Sequence, residues 1–160
     1  MRQYKYYSAF VAIAVLALFG IVYLGPGDDA LEKREVRNIV VEFSGQLQDV
    51  PLAGEEEALK VAIETNYAPY VTDQLLEVWL RAPTSAPGRE TSSPWPARID
   101  VSAVSAQGES YVVNGRVVLM TSEEVASPEN DNAGEVPVVA LLVETEAGWR
   151  IAAYEEQAPQ

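Results

Sequence analysis

Cysteine and histidine are both absent from the 160 residues, and basic side chains are scarce. Without cysteine the chain forms no disulfide, no thiolate metal site and no cysteine nucleophile, and it has no cysteine to carry a lipid. Without histidine it lacks the readiest proton shuttle near neutral pH and the commonest metal ligand. Ser-His-Asp chemistry and His-based zinc sites are excluded on that ground. Only 11 Lys and Arg stand against 24 Asp and Glu, a formal net charge of −13. Two of those bases, Arg2 and Lys5, are the only ionised side chains before Asp28, which leaves nine bases against all 24 acids in the remainder. So acidic a surface repels nucleic-acid phosphates, which need a basic patch to hold them, and no nucleic-acid partner is expected.

One stretch has no charge at all. Ser8 to Leu24, SAFVAIAVLALFGIVYL, is 17 uncharged residues. As a helix it would span roughly 26 Å at the usual rise of ~1.5 Å per residue, close to the ~30 Å hydrocarbon core of a bilayer once Tyr6 and Tyr7 are included. Tyr4, Tyr6 and Tyr7 crowd one end and Tyr23 the other, at the level amphipathic rings favour, and Gly25-Pro26-Gly27 ends the run. Bases precede it and acids follow it, so the positive-inside rule places the N-terminus in the cytoplasm and the rest outside. A cleaved secretory signal is the competing account. The run is longer than the usual apolar core of such signals, and Val22-Tyr23-Leu24 is too bulky for a small-residue cleavage site, which favours an uncleaved anchor. The expected plan is a cytoplasmic leader 1–7, a transmembrane helix 8–24 in contact with the lipid bilayer, a linker 25–31, a domain 32–156 and a tail 157–160.

Beyond the linker the apolar period is first helical. Val36, Ile39, Val40, Phe43 and Leu47 form one stripe of a helix expected over 28–48, with Asp28 and Asp29 at its positive end. A second helix is expected over 55–66 with Ala58, Val61, Ala62 and Thr65 inward. Its opening Glu55-Glu56-Glu57 points in three directions about 100° apart, so a solvated helix start is preferred to a metal site. Thr72 or Asp73 caps a third helix over 73–81, whose Leu75, Leu76, Trp79 and Leu80 make a broad apolar face.

Ala82 to Ala97 holds four prolines and reads as a long loop. Trp95, extended between Pro94 and Pro96, is either an exposed interaction residue or a plug packing the loop down. From Arg98 the period is two. Ile99, Val101 and Ala103 alternate with polar residues, Ser110 to Ser122 is a long Val- and Tyr-rich strand, and Asn114-Gly115 within it marks a turn, bulge or kink. Val136 to Val143 is continuously apolar and reads as a central strand buried on both faces. A hairpin at Glu144 to Gly148 leads to a last strand with Trp149, Ile151 and Ala153 on one face. Helices followed by an antiparallel meander give an α+β domain, with Trp149, Trp79, Ile151 and Phe43 as its structural residues.

This order resembles the NTF2-like superfamily, on Tyr111-Val112-Val113-Asn114-Gly115-Arg116-Val117, on Val138 to Glu144, and on Ala147-Gly148-Trp149-Arg150-Ile151. The resemblance implies a cone of helices on a curved antiparallel sheet, with Trp149 sealing the sheet. It also implies two uses. Some relatives are bitopic scaffold subunits of secretion or conjugation machines, acting through protein partners or as homo-oligomers. Others are isomerase- or cyclase-like enzymes with a carboxylate base in the cone. Here Asp100 or Glu144 is the candidate base and Tyr111 or Tyr67 the candidate donor, since burial raises a carboxyl toward neutral pH. Asp100 beside Arg98 reads as a solvated strand face, and a binding role without catalysis or cofactor is preferred. Ser-Lys chemistry is not favoured, because Lys33 and Lys60 lie on helices with no nearby serine signature. Glu129 to Glu135 lacks the spacing of a calcium-binding EF-hand loop, so no metal is expected.

Overall fold

The computed structural model describes residues 28–126 and 132–157. The expected leader 1–7 and membrane segment 8–24 lie outside the described residues, as does part of the 129–135 run. Among the described residues no helix is long and apolar enough to cross a membrane.

Helix α1 spans Asp28–Ser44, and a 3₁₀ turn follows at Leu47–Asp49. The predicted stripe is its buried face: Val36, Val40, Phe43 and Leu47 are buried and Ile39 packs against them. Helix α2 spans Glu56–Tyr67. Its buried face is Leu59, Ile63 and Tyr67; of the expected set only Ala62 packs against the core, and Val61 is 56% exposed. The sequence carries two interleaved period-3.6 stripes here, and the one with the larger side chains buries more apolar area. Helix α3 spans Asp73–Arg81 as expected, and the Leu75 amide donates to Thr72 Oγ1 at its start, 3.3 Å away.

Four strands follow: β1 (Trp95–Gln107), β2 (Ser110–Met120), β3 (Gly134–Thr145) and β4 (Gly148–Glu156). A short helix α4 (Ser122–Ala126) lies between β2 and β3. All pairs are antiparallel and the sheet order is β1-β2-β3-β4, a meander with β1 and β4 at its edges. Strand β1 starts three residues before Arg98, and Pro96 is tolerated because an edge strand needs no donor on its outer side. Asn114-Gly115 does not turn the chain. The irregularity falls on the partner strand, between Val101 and Ala103, where Ser102 Oγ donates to the Asn114 carbonyl at 3.0 Å. Gly115 is required by closeness: a Cβ there would meet the Asp100 carbonyl oxygen at 2.9 Å. The last hairpin turns at Gly148, whose φ of 91° is a left-handed value that favours glycine.

Two expectations are corrected. The α+β class holds, but the expected transmembrane helix followed by an NTF2-like cone is not found among the described residues, which form a small domain with one four-stranded sheet and helices. Four strands in a meander leave two edges instead of wrapping further, and the outer side of β4 is met at Val71–Ile151 by an isolated bridge. Nor is β3 buried on both faces. Val138, Ala140 and Leu142 are buried, whereas Val139, Leu141 and Val143 are half-buried. On that second face Val112 and Ala153 lie beside Leu141 across the sheet, so laterally paired side chains partly shield an apolar row that no second layer need cover.

Helix α1 packs across β1, β2 and β4, while α3 packs on both α2 and β4. One core joins the layers, and at its centre Phe43 contacts Tyr67 (ring centroids 4.9 Å apart), Tyr154 (5.5 Å) and Trp79 (6.3 Å). At the other end Trp149, 8% exposed, meets Tyr111 edge to face at 5.1 Å.

Trp149→Ala is expected to cost about 3–5 kcal/mol by urea denaturation, the range for emptying a buried aromatic site. Gly115→Ala is expected to cost about 1–3 kcal/mol in the same measurement, because the added methyl strikes backbone.

Candidate functional site

The sequence-predicted residues do not converge. Asp100 is exposed on β1, and its two carboxylate oxygens accept from Arg98 at 2.8 and 3.2 Å. It pairs across the sheet with Arg116, whereas Tyr111 lies opposite Ala106 further along the strand. The Tyr111 hydroxyl faces α1 and donates to Asp29 (3.0 Å) and Glu32 (2.8 Å). Desolvation first, and the two carboxylates after it, push that phenol well above its ordinary value. Asp29 is correspondingly held low, chiefly by Lys33 at 2.7 Å and next by Tyr111. This cluster clasps the first turn of α1 to β2. Tyr67 is spent as well, since its buried hydroxyl donates to the Pro87 carbonyl at 2.6 Å. Glu144 is exposed opposite Trp149 at the hairpin end of β3. Trp95 is half-buried opposite Met120. Trp79, Phe43 and Ile151 are in the core.

The sequence reading missed the cleft at the opposite end of the sheet, with a volume of about 770 Å³. Its floor is apolar and crosses every strand: Pro96 from β1, Val117 and Leu119 from β2, Val136 from β3 and Tyr154 from β4. Its opposing wall is drawn from residues 84–88 with Glu90, Thr91, Pro94 and Leu52. That wall is fixed by backbone bonds as well as by Tyr67. The Arg89 amide donates to the Val50 carbonyl (2.8 Å), and the Leu52 amide donates to the Arg89 carbonyl (2.9 Å). Gly88 is confined by the same closeness, for a Cβ there would sit 2.5 Å from the Val50 oxygen.

The rim is acidic. Glu90 contributes from the wall, Glu155 and Glu156 from the end of β4, and no Lys or Arg is among the described residues that line the cleft. Tyr154 and Glu156, two apart on a strand and so on one face, are joined by a 3.0 Å hydrogen bond from the phenol to the carboxylate. Loss of solvation raises the Glu156 carboxyl, the Tyr154 bond opposes that rise, and Glu90 adds to it. The residue as a whole is still exposed, so its carboxylate keeps contact with water. An apolar trough between a sheet and a fixed wall, edged by carboxylates, can hold a chain or molecule with apolar and cationic parts. For proton transfer the one tyrosine on the floor already directs its hydroxyl at Glu156. The Pro-rich composition of 82–97 marked the wall. Glu155-Glu156 left no such mark, since acids near a chain end look like solvated tail.

No family model matches the chain, and no curated protein matches it. Among solved structures it is similar to the intermembrane space region of chloroplast protein ARC6, at 16% sequence identity and a TM-score of 0.41, over 82% of this chain and 98% of that one. A likeness at that level supports no inference about function.

The raised Glu156 carboxyl fixes the sign of a pH effect. The folded state binds this proton more tightly than the unfolded chain, so the ionised group opposes folding at neutral pH, and the opposition fades as the pH falls through the folded value. Glu156→Gln is therefore expected to raise the neutral-pH melting temperature, by an amount that vanishes under acid conditions; circular dichroism melts at the two pH values measure it. Tyr111→Phe is expected to move the Asp29 carboxyl upward in an NMR titration yet leave it below an ordinary aspartate, because Lys33 remains. Asp100→Asn, on an exposed pair, is expected to change stability by less than about 0.5 kcal/mol.

Proposed function

We propose that this chain is a non-catalytic binding or scaffold domain, held at a cell membrane by its apolar segment 8–24 and displayed on the extracytoplasmic side as part of an envelope assembly. The observation that carries the binding role is the cleft: an apolar floor drawn from all four strands, facing a wall fixed by three hydrogen bonds. Preformed concave sites with a few placed polar groups are where proteins take up ligands, and little ordering cost is left to meet on binding. The membrane placement is supported by the sequence alone, through 17 uncharged residues with bases before them and acids after. Tethering confines the domain to a thin layer and raises its effective concentration toward partners in the same membrane.

Expressed in a bacterial host, the full chain is expected to stay in the pellet after alkaline carbonate extraction, and a C-terminal alkaline phosphatase fusion is expected to be active. Release by carbonate, or activity only of a β-galactosidase fusion, overturns the placement. Crosslinking in intact membranes is expected to capture a protein partner or a second copy through a photoreactive residue at position 119, on the cleft floor, and not through one at position 100 on exposed β1.

A further inference from the structure

We propose that the occupant of the cleft is an extended polypeptide segment of a partner protein, carrying lysine or arginine beside apolar residues. This rests on the cleft being the binding surface, and three features of the cleft favour that occupant.

The first is length. The floor runs from Pro96 on β1 to Tyr154 on β4, across three inter-strand spacings. At ~4.8 Å each that is roughly 14 Å, the reach of about four extended residues. A trough of that length suits a strand-like segment lying across the strands.

The second is charge. Glu90 on the wall and Glu156 on the cleft face of the last strand line the trough, Glu155 lines it from the alternate position of that strand, and no Lys or Arg is among the described lining residues. An anionic or neutral segment leaves these carboxylates uncompensated as it displaces their water, whereas a cationic one replaces that water with an opposite charge. Loss of solvation and the nearby Glu90 already disfavour the ionised form of Glu156, so an arriving cation relieves an existing penalty.

The third is the layering of the two. Leu119, Val117 and Val136 give the cleft hydrocarbon, and Glu90, Glu155 and Glu156 line it with them. Lysine and arginine have this shape: an apolar stem that lies along hydrocarbon and a charged head that reaches the polar edge.

The test uses the full chain in a non-ionic detergent and three capped hexapeptides, each two repeats of Lys-Pro-Leu, Ser-Pro-Leu or Glu-Pro-Leu, titrated by calorimetry. Proline keeps them extended. The lysine peptide is expected to bind, more weakly as salt is added, and the glutamate peptide not at all. The triple variant E90Q/E155Q/E156Q is expected to lose roughly tenfold in affinity, the scale of three partly exposed charge pairs together. The triple variant E55Q/E56Q/E57Q, which removes as much charge from the start of α2, is expected to bind like the parent. Equal weakening by both triples overturns the proposal, because the attraction is then the general field of an acidic protein. If the serine or glutamate peptide binds as tightly as the lysine peptide, and Leu119→Ser and Val136→Ser abolish that binding while circular dichroism shows both folded, the cationic occupant is wrong and the cleft reading stands. Binding that ignores both floor variants, or no binding by any peptide, overturns both.

Discussion

The molecule is organised around four aromatic rings, one from each of the three long helices and one from the last strand. Phe43 of α1 touches Tyr67 of α2, Trp79 of α3 and Tyr154 of β4, and Trp79 also meets Tyr67 at 5.5 Å and Tyr154 at 6.4 Å. Rings of this size each bury ~150–250 Å², more than any aliphatic side chain here offers. They seat the helices on the sheet. Two of them also carry hydroxyls that leave the cluster on the cleft side, Tyr67 toward Pro87 and Tyr154 toward Glu156. The cleft is thus the rim of the core. What sets its shape is what holds the domain together, and a binding surface can be kept rigid without further devices.

Electrostatics contributes little to that stability. Lys33–Asp29, Lys60–Glu56 and Arg81–Glu77 are one-turn pairs along helices, and Arg98–Asp100 and Arg116–Glu135 lie on exposed strand faces. Such pairs are each worth about 0–1 kcal/mol. With so few bases, most acids among the described residues have no basic partner. On α2 water solvates them at small cost. At the cleft the same residue type stands beside hydrocarbon, and there the lack of a counter-charge has chemical consequences.

Much of the scaffold was legible because it obeys a single period. The α1 stripe, the cap of α3 at Thr72 and the buried Trp149 and Ile151 of β4 follow from spacing and turn chemistry. Legibility failed where two signals overlap. In α2 the expected Ala58, Val61, Ala62 and Thr65 lie on a stripe beside Leu59, Ile63 and Tyr67, and only Ala62 of that set packs on the core. In β3 an unbroken apolar run suggested burial on both faces when cross-strand neighbours provide part of the shielding. The expected cone came from short motifs that any antiparallel meander with a tight last hairpin can carry, and they do not specify how many strands follow one another. The cleft was hidden for a different reason: it gathers residues more than a hundred positions apart, from Leu52 to Gln157, and no local pattern encodes that meeting.

The clasp between Tyr111 and the first turn of α1 has a mechanical consequence. Tension arriving from the segment ahead of residue 28 enters at Asp29 and Glu32 and is handed through one phenol to β2. That strand is flanked by hydrogen-bonded ladders on both sides, to β1 and to β3. The load is thereby shared among interior bonds instead of peeling an edge strand from the sheet.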